Sequence, residues 1–365
     1  MILSLVVIAA LILIVFLFMQ QTKFGSKPSG ARLELIQQSP HYKEGKFQNQ
    51  SHTPDLAEGV TYYSVMKEFF FGKKPRNKPA QILPSKKTDL FSLCPDENVL
   101  VWMGHSSYFM QIDGKKILVD PVFSGAASPL SFTTRSFPGA DVYSTDDIPA
   151  IDILILTHDH WDHMDYATIK KLQPKIKTII TGLGSGAHLE RWGFDRSTVI
   201  EKDWYQDIIL PEEFSITVLP ARHFSGRTFS RNNAIWASFA LQTPNHKIYI
   251  GGDSGYDNHF REIGETYGPF DVAILECGQY NKNWKYIHMM PEETVQAAHD
   301  LRAKKLLAVH WAKFALALHP WDEPIIRVHK AAAENNMPLL TPMIGEKMAI
   351  DTEAAAFSEW WVGVD

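Results

Sequence analysis

Cysteine is scarce in this 365-residue chain: the two thiols, Cys94 and Cys277, are far apart and lie outside any CxxC pattern. That excludes a disulfide framework and a thiolate metal cluster. An excess of basic charge is missing as well. Thirty-six Lys and Arg face 41 Asp and Glu, a net charge of -5, which argues against a polyanion binder and gives no reason to expect nucleic acid as a partner. There is no repeat, no low-complexity tract and only one long hydrophobic run. Hydrophobic residues make up 45% and charged residues 21%, the balance of an ordinary packed protein, and the length fits one large or two ordinary domains. Nothing in the composition specifies an oligomeric state. What the chain does have is 15 histidines.

The single long run, Ile2 to Met19, carries no charge. At about 1.5 Å per residue it reaches roughly 27 Å, close to the hydrocarbon core of a bilayer. A cleavable signal peptide is the rival, but it needs a basic leading region and an A-x-A-like site, and neither is present before Gln20-Gln21. The expectation is therefore a single-pass transmembrane anchor over residues 1–20. The nearest cations, Lys23, Lys27 and Arg32, follow it, which places the bulk of the protein on the cytoplasmic side. Residues 21–97 read as a juxtamembrane connector wrapping on the domain. Within it, the aromatic stretch Tyr62 to Phe71 precedes Gly72-Lys73-Lys74-Pro75-Arg76-Asn77-Lys78-Pro79, a combination suited to an anionic lipid surface. The preferred reading is plainer: a short helix docked on the core, then a solvated loop.

From residue 98 onward, β-rich runs are separated by turn residues: Val99 to Met103, Tyr108 to Ile112, Lys116 to Val119, Ile153 to Leu156, Thr178 to Ile180, Ile216 to Leu219, Ala234 to Leu241, Lys247 to Ile250, Val272 to Leu275 and Leu306 to Val309. Asp113-Gly114 is a hairpin signal, and Pro291 to Arg302 reads as a helix. The pattern predicts sheets covered by helices in one α/β domain over residues 98–350, with a C-terminal tail over 351–365.

Directly after Ile153-Leu154-Ile155-Leu156 comes Thr157-His158-Asp159-His160-Trp161-Asp162-His163-Met164-Asp165. So many imidazoles and carboxylates in one loop point to divalent-metal coordination. In an extended segment His158 and His160 fall on one side, leaving Asp162 and His163 free to turn toward a second ion. Later strand-like runs also end in donors, at His223, Asp253 and His310. Residues just beyond strand carboxyl ends share one rim of an α/β sheet. The natural division is His158, His160 and His223 around one ion, and Asp162, His163 and His310 around the other, with Asp253 bridging. Asp159 and Asp165 are expected to orient imidazoles, His105 to be a buried hydrogen-bonded side chain, and Trp161 to pack or to border the cavity.

With these residues in place, the chain resembles the metallo-β-lactamase fold superfamily, whose HxHxDH signature stands here as His158-Asp159-His160-Trp161-Asp162-His163. The resemblance implies an αββα sandwich with a dinuclear site on one edge. Narrower similarity lies in Val101-Trp102-Met103-Gly104-His105-Ser106-Ser107, Asp120-Pro121-Val122-Phe123-Ser124, Gly251-Gly252-Asp253-Ser254-Gly255-Tyr256, and His288 with Pro291-Glu292-Glu293. His310-Trp311-Ala312-Lys313-Phe314 belongs with them. These blocks look like those of N-acylphosphatidylethanolamine-hydrolysing phospholipase D and its bacterial relatives, and several also look like sugar-lactone lactonases of the superfamily.

The resemblance implies a zinc-dependent phosphodiesterase with two Zn2+, cleaving a membrane phospholipid to N-acylethanolamine and phosphatidate. Asp253 would orient the attacking water and relay its proton, Asp162 would assist it, and His288 would contact the phosphate or the leaving group. A lactonase or another small-ester or amide hydrolase of the same fold is the alternative. A scaffold holding metal only for structure fits less well, since structural zinc sites are closed by four protein ligands.

Overall fold

The computed structural model describes residues 2–351 and 357–364. Its first element, α1 (Ile2–Met19), buries no side chain and has a mean hydropathy of 3.3. Among the described residues it is the one helix long and apolar enough to cross a membrane. There follow α2 (Gly30–Gln37), a small hairpin of β1 (Tyr42–Lys43) and β2 (Lys46–Phe47), and α3 (Tyr62–Phe71). Arg32 on α2 donates to Glu190 at 2.6 Å and to Glu201 at 2.7 Å, while Ile36 and Phe47 are fully buried.

Helix α3 departs from the expected docked helix. Thr61 and Ser64 cap its start reciprocally, yet none of its residues is buried. Val65 and Phe69, one turn apart, face the protein half-buried, whereas Tyr63, Met66 and Phe70, spaced i, i+3, i+7, face outward and are exposed. The helix is apolar on both faces, and the domain covers only one.

The domain proper begins with β3 (Val99–Trp102), β4 (Tyr108–Ile112), β5 (Lys115–Val119) and β6 (Ile151–Leu156). Next come α4 (Tyr166–Leu172), β7 (Ile176–Gly182), α5 (Gly186–Arg191) and β8 (Val199–Lys202). The second half holds β9 (Gln206–Ile209), β10 (Ser215–Leu219), β11 (Ser238–Gln242), β12 (Lys247–Ile250), α6 (His259–Thr266), β13 (Val272–Glu276) and α7 (Pro291–Asp300). It ends with β14 (Leu306–Val309), α8 (Glu323–Glu334), β15 (Leu339–Leu340) and β16 (Lys347–Ala349). The strands form two seven-stranded sheets, ordered β16-β3-β4-β5-β6-β7-β8 and β15-β14-β13-β12-β11-β10-β9.

Strand β6 shows why these runs are apolar throughout. Ile153 and Ile155 point into the core between the sheets, while Leu154 and Leu156 pack with Ile169 and Leu172 of α4 and Leu189 of α5. A strand buried on both faces needs apolar residues at every position, each contributing about 1.5–3 kcal/mol. With α7 against β13 and β14 on the other side, the layers run α, β, β, α. Asp113 and Gly114 both take positive φ, 44° and 78°, and turn β4 tightly into β5.

The run Ala234 to Leu241 is corrected in part, since only Ser238–Gln242 is strand. Its first half crosses between the sheets, where Ile235 N–H donates to Leu183 O and Ala237 N–H to Thr157 O. The expected tail, 351–365, includes residues 352–356 and 365, which lie outside the described residues. Its described end is core: Trp360 and Trp361 are buried against Trp311, with ring centroids 5.1 and 6.0 Å away.

Candidate metal centre

Four strands deliver polar residues to one edge of the sandwich. Beyond β6, the Thr157 N–H and hydroxyl donate to Asp120 at 2.9 and 2.6 Å, and the other segments, bearing His223, Asp253 and His310, arrive from the ends of β10, β12 and β14. Gly252 lets β12 turn toward the site, because a Cβ there would lie 2.7 Å from the Ala237 carbonyl oxygen. His105, Asp120 and His310 all adopt left-handed backbone, with φ of 53°, 41° and 69°. Such non-glycine conformations persist where surrounding bonds enforce them. Here His310 N–H donates to His105 O at 2.9 Å, and His105 N–H to Trp311 O at 3.1 Å.

Three overlapping donor groups result, two that contain the ligands named from the sequence and a third, Asp253, Glu276, His288 and His310, beside them. In the first, His158 Nε2 lies 2.9 Å from His160 Nδ1, which lies 3.2 Å from His223 Nε2, and Asp253 Oδ2 is 3.7 Å from both His158 and His223. In the second, Asp253 Oδ1 is 3.2 Å from His163 Nε2 and from His310 Nδ1, and Asp162 Oδ2 is 3.5 Å from His163 Nε2. Donors bound tetrahedrally at about 2.0–2.1 Å lie about 3.3 Å apart, a value inside both sets of spacings. His163 Nε2 and Asp253 Oδ1 are buried with no hydrogen-bond partner, which costs about 1–3 kcal/mol per group unless a ligand satisfies them. A divalent cation in the second cluster, where both atoms lie, would satisfy them. Burial opposes charge on His163, but Asp253, Asp162 and Asp120 together raise it well above the ordinary imidazole value. Burial would raise Asp253, yet His163 and His310 hold it well below the carboxylate range.

The structure thus brings together all seven side chains named from the sequence: His158, His160, Asp162, His163, His223, Asp253 and His310. His105 stands beside the second cluster, fully buried, with Nε2 2.9 Å from Asp162 Oδ2. Asp159 and Asp165 do not orient ligand imidazoles. Asp159 accepts from Gly226 N–H and pairs with His188 at 3.1 Å, and Asp165 caps α4 through Ala167 N–H. Other groups hold two of the rings by the nitrogen turned away from the clusters: Asp120 is 2.7 Å from His163 Nδ1 and Ile287 O accepts from His223 Nδ1 at 2.8 Å, while Ser106 Oγ lies 2.9 Å from His310 Nδ1, the nitrogen that also faces Asp253. The sequence signal for Asp120 was its place directly after β5, the same strand-end position that exposed the ligands.

His288 lines a cavity of about 160 Å³ over the clusters, walled on its apolar side by Phe224, Trp284, Ile287 and Leu316. Its Nδ1 lies 2.6 Å from Glu276 Oε2, at the last residue of β13, a partner the sequence reading did not name. Burial alone would lower His288, but the Glu276 carboxylate raises it above the ordinary imidazole value. Trp161 does not border this cavity. It packs edge-on to Phe24 at 5.2 Å and lies under the Arg227 guanidinium at 3.9 Å.

With two sheets, one ligand edge and this donor set described, the match of residues 115–311 to the beta-lactamase superfamily domain settles the family. The chain belongs to the beta-lactamase superfamily. This superfamily member is 34% identical over 331 residues to an uncharacterized protein of Mycobacterium bovis, covering 90% of this chain and 88% of the relative. It is 31% identical over 258 residues to N-acyl-phosphatidylethanolamine-hydrolyzing phospholipase D 1 of Caenorhabditis elegans, covering 64% of this chain and 72% of that one. A solved metallo hydrolase from the archaeon Ignicoccus hospitalis superposes with a TM-score of 0.55 at 20% identity, over 69% of this chain and 97% of that one, a likeness of fold. This beta-lactamase superfamily protein is a metal-dependent hydrolase with His and Asp clusters able to bind metal.

Proposed function

We propose that the chain is a membrane-anchored phosphodiesterase of the phospholipase D type, cleaving N-acylphosphatidylethanolamine to N-acylethanolamine and phosphatidate. The observation that carries this reading is Asp253, which presents one oxygen to each of two donor clusters beneath a cavity that also holds His288, paired with Glu276 at 2.6 Å. The relative from Caenorhabditis elegans, named for this reaction, supports it.

Two zinc ions in those clusters would polarise the phosphodiester and generate a nucleophile from water near neutral pH. His158, His160 and His223 would hold one, and Asp162, His163 and His310 the other, with Asp253 between them. Asp253 orients the attacking water and relays its proton toward solvent, and Asp162 faces the same space from the second cluster. His288, made more basic by Glu276, contacts the phosphate and delivers a proton to the departing alkoxide. Phe224, Trp284, Ile287 and Leu316 keep bulk water from that side. A cavity of about 160 Å³ holds the scissile group and leaves acyl chains outside, which suits a substrate whose chains stay in the bilayer. Helix α1 supplies the anchor, and it confines enzyme and lipid to one surface.

The test is incubation of the metal-loaded, detergent-solubilised full chain with N-acylphosphatidylethanolamine, followed by phosphorus NMR. Phosphatidate is the expected product. Turnover of a lactone or small amide with no phosphatidate contradicts the reading in favour of the alternative hydrolase.

A further inference from the structure

Several large aromatic side chains stand in water around one corner of the molecule: Tyr63 (77% exposed), Phe70 (66%) and Phe71 (85%) on α3, Phe132 (73%), and Phe229 (86%). Contiguous exposed apolar surface marks an interaction site. Helix α3 sharpens the point. Isolated helices shorter than about 12–15 residues are marginal in water, and most helices are held by packing, yet this ten-residue helix has no buried residue.

The three aromatic stretches are tied to one another, to the exit of α1 and to the cavity wall. Lys23, just after α1, donates through Nζ to Pro129 O at 2.7 Å in the loop that carries Phe132. Its own carbonyl accepts from Arg227 at 3.0 and 3.2 Å, two residues before Phe229. Phe24 bridges Phe18 at the end of α1 and Trp161 in the signature loop, with ring centroids 5.2 Å apart on each side. The turn at Gly25 is packed so closely that a Cβ there would overlap His188. On the other side, the Tyr62 hydroxyl donates to Asp55, which accepts from Arg231, whose guanidinium lies 3.8 Å over Phe224 of the cavity wall. Asn283 Nδ2 donates to Glu68 of α3 at 3.0 Å, next to the cavity residue Trp284.

We propose that α3, Phe132 and Phe229 form a second bilayer contact that rests in the same leaflet surface from which α1 emerges and sets the metal cavity beside the lipid headgroups. The inference rests on the anchored reading of α1, and it adds how the site is presented to its substrate. Charge supports lipid as the occupant: exposed Lys73 and Lys78 follow the aromatic stripe, in a chain whose net charge is -5. Local cations just beyond a helix with exposed aromatics are what an anionic interface attracts.

The experiment uses the full chain in nanodiscs containing phosphatidylserine, with Cys94→Ser removing the exposed thiol and Cys277 left buried. Single Phe71→Cys, Phe132→Cys and Phe229→Cys variants carry an environment-sensitive fluorophore, and nitroxide-labelled lipids act as quenchers. Glu212→Cys is the control, because it is exposed at the start of β10, the end away from His223. Quenching several-fold stronger at the three rim positions than at Glu212 is expected. Quenching equal to the control, or shielding that grows with protein concentration in detergent and so reports a second copy, overturns the proposal. Intact mass separates the two readings. A chain that has lost α1 ends the anchor, while its quenching on added vesicles still supports the rim and absence of quenching overturns it.

Discussion

Asp120 touches no substrate in this account, yet it accepts from Thr157 twice and fixes His163 at 2.7 Å. Groups that orient a metal-bound histidine typically change affinity 10–100-fold when replaced. Asp120→Asn should therefore weaken metal retention by about that factor in a chelator competition while the fold, read by circular dichroism, stays intact. His288→Ala removes a proton donor from the cavity and should lower kcat on the phosphodiester by about 100-fold with metal content unchanged. If His288 only packs, kcat stays and thermal stability falls. His259, which is not itself a ligand but lies 3.3 Å from the Ser254 hydroxyl beside Asp253, gives a pH prediction. Burial lowers it from 6.5 to about 4, so the folded protein keeps it neutral while the unfolded chain protonates it. The unfolded state thus binds more protons between those values, and stability is lost as pH falls from 6.5 toward 4, by up to about 3 kcal/mol from this one group. The stability difference between the natural chain and His259→Asn, followed by urea unfolding, should shrink across that window. A difference independent of pH contradicts the assignment.

At the scale of elements, α2 tests whether the juxtamembrane stretch is part of the domain. Arg32 is 7% exposed and holds Glu201, itself 12% exposed, together with Glu190. Arg32→Ala removes the cation from Glu201, leaving it only the Gly184 and Gly186 N–H donors, and should cost about 1–3 kcal/mol in denaturant unfolding. A loss near zero would mean the stretch is only draped on the surface. The elements also show what was legible in the sequence. Central strands such as β6 and β13 announce themselves because burial on both faces forces unbroken apolar runs. Edge and half-exposed strands do not. β8 reads Val-Ile-Glu-Lys and β9 Gln-Asp-Ile-Ile, with Ile209 78% exposed, and neither carries a periodic signal. The ligands were legible because each follows a strand end. Glu276 and Ser106 were not, since their roles exist only once separate segments meet at His288 and His310. Local pattern predicts that α3 is a helix, through the aromatic stretch Tyr62 to Phe71, but how much of it the domain covers is a property of the assembled fold.

The whole molecule couples an apolar helix to a metal edge through the short chain of contacts from Phe18 through Phe24 to Trp161. The apolar helix and the candidate metal centre therefore lie close together, and the lipid reading depends on that arrangement as much as on the cavity. All of it presupposes that the two clusters sharing Asp253 hold cations. Elemental analysis of the purified full chain, repeated on Asp253→Ala, measures this directly. The account predicts close to two divalent ions per chain in the natural protein, most simply zinc, falling to one or fewer in the variant. Fewer than one ion per chain that reconstitution with zinc, manganese or iron cannot raise would contradict it.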